Sequence, residues 1–223
     1  MSETETSYSY DYDEEAAGHA EDFVNRIEAG PFEGVFTNVW DITAEKGSKG
    51  VHFEFEAGGA KGSFDIYTIG PKGSTDKNGV VREQDTKFPG YNQLMAIMTV
   101  LGVRSLKTRK GAIEVYDKEQ NKRVEASGNV YPDLMNKKIG VVFQKEVYNR
   151  QSDGKEAARY NFLGSFNVET RLTASEMREG VRKADPEKGK LARMVKGNKV
   201  KDSRTVKAEE PAQPSQALPD GAY

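Results

Sequence analysis

Two segments of this chain carry basic residues interleaved with aromatic residues. Residues 104–110 contain four bases in seven positions and lead towards Tyr116. The second segment is a predicted hairpin around residues 151–155, with bases and tyrosines on both of its strands. Single-stranded nucleic acid is bound by a basic groove for its phosphates and by flat rings for its bases, so both segments predict a nucleic-acid interface.

The predicted interface has two kinds of residue. The basic residues expected along the phosphates are Arg104, Lys107, Arg109, Lys110, Arg150 and Arg159, and Lys145 and Lys155 are further DNA-binding candidates in the hairpin. The rings expected to stack on nucleobases are Tyr116, Tyr148 and Tyr160, with Trp40 and Tyr67 as further candidates. Each group has an alternative structural role. Residues 104–110 also fit a solvated loop, the hairpin bases fit a charged sheet edge that prevents aggregation, and Trp40 fits a core position.

The chain offers little for catalysis. It has two histidines, His19 and His52, and no cysteine, which leaves few ways to hold zinc and excludes disulfides and thiolate chemistry. Residues 70–74 (Gly-Pro-Lys-Gly-Ser) lack the spacing and the Gly-Lys-Ser/Thr ending of a phosphate-binding loop. Glu54 and Glu56 share one strand face, where acids are usually just solvated. We therefore expect no enzymatic activity, no metal and no cofactor.

The elements that must position these residues are mostly strands. Period-two alternation predicts three strands between residues 32 and 69, joined by Gly-rich turns. Pro89–Leu101 is predicted to be helical because its apolar residues share one face, and Gly102 ends it. Lys138–Arg150 and Ala158–Val168 predict a closing hairpin. This order predicts an all-β fold with one or two helices, specifically an OB-fold-like five-stranded barrel.

The two ends of the chain differ in charge. Residues 1–22 contain eight acids and no Lys or Arg, whereas residues 181–207 contain ten bases and three acids. We expect an acidic disordered arm at 1–22, the DNA-binding domain at 23–180, and a disordered tail at 181–223 that is first basic and then rich in Pro and Ala. The arm carries Tyr8, Tyr10 and Tyr12 among carboxylates. One hypothesis is that it competes with DNA for the groove, and the alternative is a solubilising role.

Three segments resemble a known group of proteins. They are residues 34–40 (Gly-Val-Phe-Thr-Asn-Val-Trp), residues 92–103 (Asn-Gln-Leu-Met-Ala-Ile-Met-Thr-Val-Leu-Gly-Val) and residues 134–142 (Leu-Met-Asn-Lys-Lys-Ile-Gly-Val-Val). This layout resembles the single-stranded-DNA-binding OB-fold proteins of tailed bacteriophages. The resemblance implies a sequence-tolerant protein that coats exposed single strands during phage DNA replication or recombination.

The resemblance also implies a possible role for the end of the chain. Proteins of this group often recruit other replication proteins through an acidic tail that ends in proline and an aromatic residue. Pro219 and Tyr223 are present here, but the dense acidic cluster is missing. Recruitment of replication proteins by the C-terminal tail is therefore an open expectation.

Two other functions fit the same residues. One is a β-sandwich structural or assembly protein of a virion without affinity for nucleic acid, and the other is a strand-annealing factor. The chain has no apolar run of roughly 18 residues, and its first residues lack the basic and apolar regions of a signal peptide. We therefore expect a protein of the cytoplasm (the host cytoplasm if viral) with no membrane association. The sequence leaves the oligomeric state open.

Overall fold

A computed structural model describes residues 27–76, 78–117, 120, 122–150 and 153–204, without the side chains of Tyr116 and Asp117. The predicted acidic arm and the Pro- and Ala-rich end lie outside the described residues. The described strands are β1 (Gly30–Thr43), β2 (Lys49–Ala57), β3 (Ala60–Gly70), β4 (Thr86–Lys87), β5 (Arg109–Asp117), β6 (Lys122–Val130), β7 (Lys138–Asn149), β8 (Glu156–Phe166) and β9 (Lys201–Asp202). The described helices are α1 (Pro89–Val100), α2 (Ala174–Arg178), α3 (Lys190–Lys196) and a 3-10 helix (Pro132–Leu134). Within these ranges, no helix has the length and apolar character needed to cross a bilayer.

Strands β1, β2 and β3 form the predicted meander. Their alternation separates an apolar face from a polar one: Phe53 and Phe55 of β2 are buried, while Glu54 between them is only partly covered. The turn between β2 and β3 uses Gly58 and Gly59, whose φ angles are 56° and 84°. Residues with a Cβ rarely adopt this conformation, so the Gly-Gly pair fixes the position of the turn.

The closing hairpin β7–β8 joins the meander through β1. The first part of β1 (Gly30–Val35) pairs with β7 and the rest pairs with β2, so β1 belongs to both ladders. These ladders give the spatial strand order β3-β2-β1-β7-β8, and the all-β prediction is confirmed. α1 comes between β3 and β7 in the chain and packs against β3 and β8. The predicted barrel needs a correction, because the described strands form an open sheet. β3 and β8 share no ladder and meet where the rings of Phe64 and Phe162 stack 4.9 Å apart.

The core lies between the meander, the hairpin and α1. Phe36, Phe53 and Phe143 are almost completely buried in it, and the rings of Phe36 and Phe53 lie 4.9 Å apart. α1 packs closely on β3 because Gly90 has no side chain. A Cβ at Gly90 would lie only 2.3 Å from the carbonyl oxygen of Tyr67.

A two-stranded ribbon, β5–β6, is inserted between α1 and the closing hairpin. The sequence predicts short strands at Ala112–Tyr116 and Arg123–Ala126, whereas each strand of the ribbon has nine residues. The ribbon joins the sheet where Val130 of β6 pairs with Trp40 of β1. Ile113 then packs with Val130 and Trp40 in a second apolar cluster, so the ribbon covers part of the outer face of the meander.

The segment after Val181 is folded as far as Arg204, which corrects the prediction of a disordered tail for these residues. α3 packs Leu191 against Val142 and Phe166 on the outer face of the β7–β8 hairpin. β9 then pairs in parallel with β7 beyond the point where β1 ends. The prediction fails because a few apolar residues in this basic segment are enough to cover an apolar patch that only the tertiary structure creates.

Candidate nucleic-acid interface

The outer face of the meander carries a row of three side chains from neighbouring strands. Trp40 of β1 lies opposite His52 of β2, which in turn lies opposite Asp65 of β3. Trp40 is 5% exposed, and the His52 ring covers it with the ring centroids 4.1 Å apart. His52 Nδ1 is hydrogen-bonded to Asp65 Oδ1 at 2.5 Å, and 19% of the His52 side chain is exposed. The candidate role of Trp40 in base stacking is therefore corrected, because its ring is covered by His52 and by the ribbon.

Tyr67 is an accessible ring on the same face. It lies two residues from Asp65 along β3, opposite Gly50, and 39% of it is exposed. A Cβ at Gly50 would lie 2.7 Å from the carbonyl oxygen of Ile66 and 3.1 Å from Tyr67 Cδ1, so the glycine lets the β3 backbone and this ring approach β2. Partial burial, and then the nearby charge of Asp65, raise the pKa of the Tyr67 hydroxyl above its ordinary value. Tyr67 is thus a neutral, exposed ring at physiological pH, as a stacking role requires.

The basic run, residues 104–110, connects α1 to β5. Arg104, Lys107, Arg109 and Lys110 are all exposed. The run is anchored by its backbone, because the N–H of Lys107 donates a hydrogen bond to Asp133 Oδ2 at 3.2 Å. None of the four side chains forms an ion pair with a carboxylate of the described residues. The four cationic groups of the run are therefore open to an anionic ligand.

The basic and aromatic residues of the hairpin lie on two different faces. Lys145 pairs with Tyr160, and the next pair along the ladder is Glu146 with Arg159. Directly opposite residues of an antiparallel pair share a face, and successive pairs alternate. Tyr148 shares the outer face with Arg159, whose guanidinium carbon lies 5.0 Å from the ring centroid. The sequence pattern predicts one surface for these residues, but the register separates Lys145 and Tyr160 from Tyr148 and Arg159.

Arg159 is held by Glu146, whose side chain is only 3% exposed. The Glu146 carboxylate accepts hydrogen bonds from Arg159 Nε at 2.9 Å, Ser203 Oγ at 2.6 Å and Lys201 Nζ at 2.9 Å. These donors, Arg159 first, hold the pKa of Glu146 far below its ordinary value although burial acts in the opposite direction. Arg159 and Lys201 therefore each have an intramolecular ion pair with Glu146, which makes them weaker candidates for phosphate binding.

The tip of the hairpin contains the two remaining predicted bases. Arg150 forms an ion pair with Asp153, with Nη2 and Oδ2 2.9 Å apart. Lys155 is exposed and forms no ion pair with a described carboxylate. Of the four hairpin bases, Lys145 and Lys155 are the two that remain without an acidic partner in the described part of the chain.

A cleft of about 740 Å³ opens between the inner face of the hairpin, the start of β3 and the ribbon. Its aromatic lining consists of Phe55, Phe143 and Tyr160. Its charged side chains are Lys61, Arg123, Glu54, Glu56 and Glu114. Arg123 lies 3.4 Å from Glu54 and 3.6 Å from Glu114, and Lys61 lies 3.9 Å from Glu56. Because acids outnumber bases in this lining, the cleft is not the basic groove that the hairpin sequence predicts.

The structure places some predicted site residues in contact, such as Tyr148 with Arg159, and it adds His52, which the sequence pattern missed. Tyr116 lies on β5 opposite Arg123, but its side chain is outside the described atoms. His52 was not predicted as a site residue. Its alternation indicates a polar strand face, but the contact with Trp40 depends on the β1–β2 register, which no local pattern reveals.

Comparison with known proteins gives no assignment, since no protein-family model and no curated protein matches this chain. Across the described ranges, there is no group of three or more His, Cys, Asp or Glu side chains placed to hold a metal ion. Function is therefore inferred from the geometry of the described residues.

Proposed function

We propose that this protein binds single-stranded DNA without sequence preference and coats exposed strands during phage DNA replication or recombination. In this proposal it is not an enzyme, and it acts in the host cytoplasm. The observation that carries the proposal is the basic run, whose four exposed Arg and Lys side chains have no acidic partner among the described residues. Phosphate binding by such bases releases counterions, which supplies affinity that does not depend on base sequence.

The position of the run also supports the proposal. Arg109 pairs with Val130, and Val130 pairs with Trp40, so Arg109 lies two strands away from Trp40 in the same row. Two strand spacings correspond to roughly 10 Å. A single bound oligonucleotide could therefore place its nucleobases on the outer face of the meander and its phosphates at the basic run.

The topology gives a third line of support. In OB-folds, oligonucleotides bind to the face of the second and third strands and to the neighbouring loops. Here the corresponding strands are β2 and β3, and their outer face carries His52 and Tyr67. Single-stranded DNA as the ligand is thus consistent with the strand order, with the accessible rings of His52 and Tyr67, and with the basic residues that lack an acidic partner in the described part of the chain.

The test is fluorescence anisotropy of a labelled oligo-dT of about 30 nucleotides, titrated at several salt concentrations with duplex as competitor. The variant replaces Arg104, Lys107 and Lys110 by Gln and leaves Arg109, which shares a face with the buried Val130. Each lost phosphate contact lowers the salt dependence of a single-strand complex by roughly 0.7 in log–log slope, so the triple variant should lose about 2.

A matched control removes the same charge elsewhere, at the exposed residues Lys72, Arg178 and Lys183. This control should retain the slope of the wild type to within about 0.7, one phosphate contact. Equal losses in the two variants would show that overall charge, and not the basic run, drives binding. No binding of the wild type at micromolar protein and low salt would contradict the proposed function.

A further inference from the structure

We infer that His52 stacks on a nucleobase of the bound strand, with Tyr67 as its neighbour, and that Trp40 supports the His52 ring from below. This inference rests on the proposed function and names the residues that contact the bases. His52 has one ring face on Trp40, at a centroid distance of 4.1 Å and an interplanar angle of 36°. Histidine is one of the side chains on which proteins stack unpaired bases.

The His52 ring is held in place before any ligand arrives. Its Nδ1 is hydrogen-bonded to Asp65 Oδ1 at 2.5 Å, and Trp40 is itself fixed by Ile113 and Val130. A side chain that is already ordered loses little rotamer entropy when a ligand contacts it. The Trp40–His52–Asp65 row therefore presents a pre-organised ring to the outer face of the sheet.

Tyr67 provides the second ring of this platform. His52 lies opposite Asp65, and Tyr67 is two residues further along β3, which makes His52 and Tyr67 diagonal neighbours. Diagonal neighbours in an antiparallel pair lie about 7–8 Å apart. Gly50 lies opposite Tyr67 and two residues from His52 on β2, and it has no side chain that could crowd the two rings. Two rings at this spacing suit two neighbouring bases of one strand.

Three acids on this face already have a hydrogen-bond or ion-pair partner within the protein. Asp65 is engaged by His52, and Glu54 lies 3.4 Å from Arg123. Asp41 accepts a hydrogen bond from Asn129 Nδ2 at 2.9 Å. A strand that turns its bases towards the sheet keeps its phosphates away from these carboxylates and on the side where the basic run can reach them.

The chain provides its own reporter for this contact. Trp40 is the only tryptophan in the sequence, and it lies directly under His52. Titration of the full chain with unlabelled oligo-dT of about 30 nucleotides should change the Trp40 emission. The change should saturate at the same DNA concentration as the anisotropy signal. Unchanged emission at saturating DNA would overturn the inference.

A pair of variants separates the aromatic ring from its hydrogen bond. His52→Phe and His52→Leu both lose the bond to Asp65, but only Phe retains a flat ring over Trp40. His52→Phe should bind the oligonucleotide within about threefold of the wild type, whereas His52→Leu should bind at least about fivefold more weakly, the smallest effect expected for one lost base stack. Equal affinities of the two variants would overturn the inference.

The outcomes also distinguish this inference from the proposed function. Wild-type binding that is insensitive to both His52 variants would remove the stacking role and leave DNA binding intact, whereas no wild-type binding would contradict DNA binding itself. Thermal unfolding of both variants shows whether they fold. If either fails to fold, the same comparison is made with Tyr67→Phe and Tyr67→Leu, on the more exposed of the two rings.

Discussion

Arg159 lies directly opposite Glu146 in the β7–β8 ladder, and its Nε donates a hydrogen bond to the Glu146 carboxylate at 2.9 Å. The same carboxylate accepts hydrogen bonds from Lys201 and Ser203 of the C-terminal segment. One buried acid thus joins both strands of the hairpin to β9, which occupies the edge of β7 that β1 leaves unpaired. The contacts of Glu146 with Lys201 and Ser203 explain why a segment rich in basic residues is folded against the hairpin.

Glu146→Gln should lower the free energy of unfolding by about 2 kcal/mol, within the range for losing hydrogen bonds to a charged group. The effect is kept moderate because Arg159 and Lys201 are more than half exposed and can be solvated. Urea unfolding at pH 7 measures it. The control is Glu125→Gln, an exposed acid on β6, which should change stability by no more than about 0.5 kcal/mol. Equal effects of the two substitutions would contradict the structural role of Glu146.

The same acid predicts a pH dependence of stability. The pKa of Glu146 lies far below its ordinary value in the folded chain, so in acid the unfolded state binds more protons at this residue. Its contribution should be complete above roughly pH 5 and should be lost as the pH falls. The stability difference between wild type and Glu146→Gln should therefore be largest at pH 7 and smaller at pH 3. A difference that grows as the pH falls would contradict the low pKa.

Local sequence patterns predicted the parts of the fold that depend on neighbouring residues. The alternation around Phe53 and Phe55, the glycine turn after them and the apolar face of α1 all follow from side-chain period and backbone freedom. The fold of residues 181–204 was not predictable in this way. It depends on a patch formed by Val142 and Phe166, which come from two different strands.

The candidate site was only partly predictable for the same reason. The exposure of the basic run follows from its local composition, and the structure agrees with it. The stacking of His52 on Trp40 depends on the register of β1 against β2, and the separation of Tyr148 from Tyr160 depends on the register of β7 against β8. A shift of one residue moves every side chain to the other face, so residue type alone cannot assign a face.

Gly90→Ala should destabilise the protein, although alanine is normally the better helix residue by about 1 kcal/mol. The new Cβ would lie 2.3 Å from the Tyr67 carbonyl oxygen, a backbone atom that cannot move without displacing β3. We expect a loss of about 2 kcal/mol or more, in the range for overpacking, measured by urea unfolding. Asn92→Ala, at an exposed position of the same helix, is the control and should stabilise slightly. A Gly90→Ala variant as stable as the wild type would show that α1 can withdraw from β3 at no cost.

The two faces of the hairpin should respond differently to loss of an aromatic ring. Tyr160 lies beside Lys145 on the inner face, where the cation has no acidic partner among the described residues, while Tyr148 is covered by the Arg159 guanidinium. Lys145 offers a phosphate contact beside Tyr160, so Tyr160→Leu should weaken oligo-dT binding about fivefold, and Tyr160→Phe should restore it. Tyr148→Leu should instead act mainly on stability. Anisotropy and thermal unfolding measure the two effects, and a larger affinity loss for Tyr148→Leu would contradict the prediction by placing the DNA on the outer face of the hairpin.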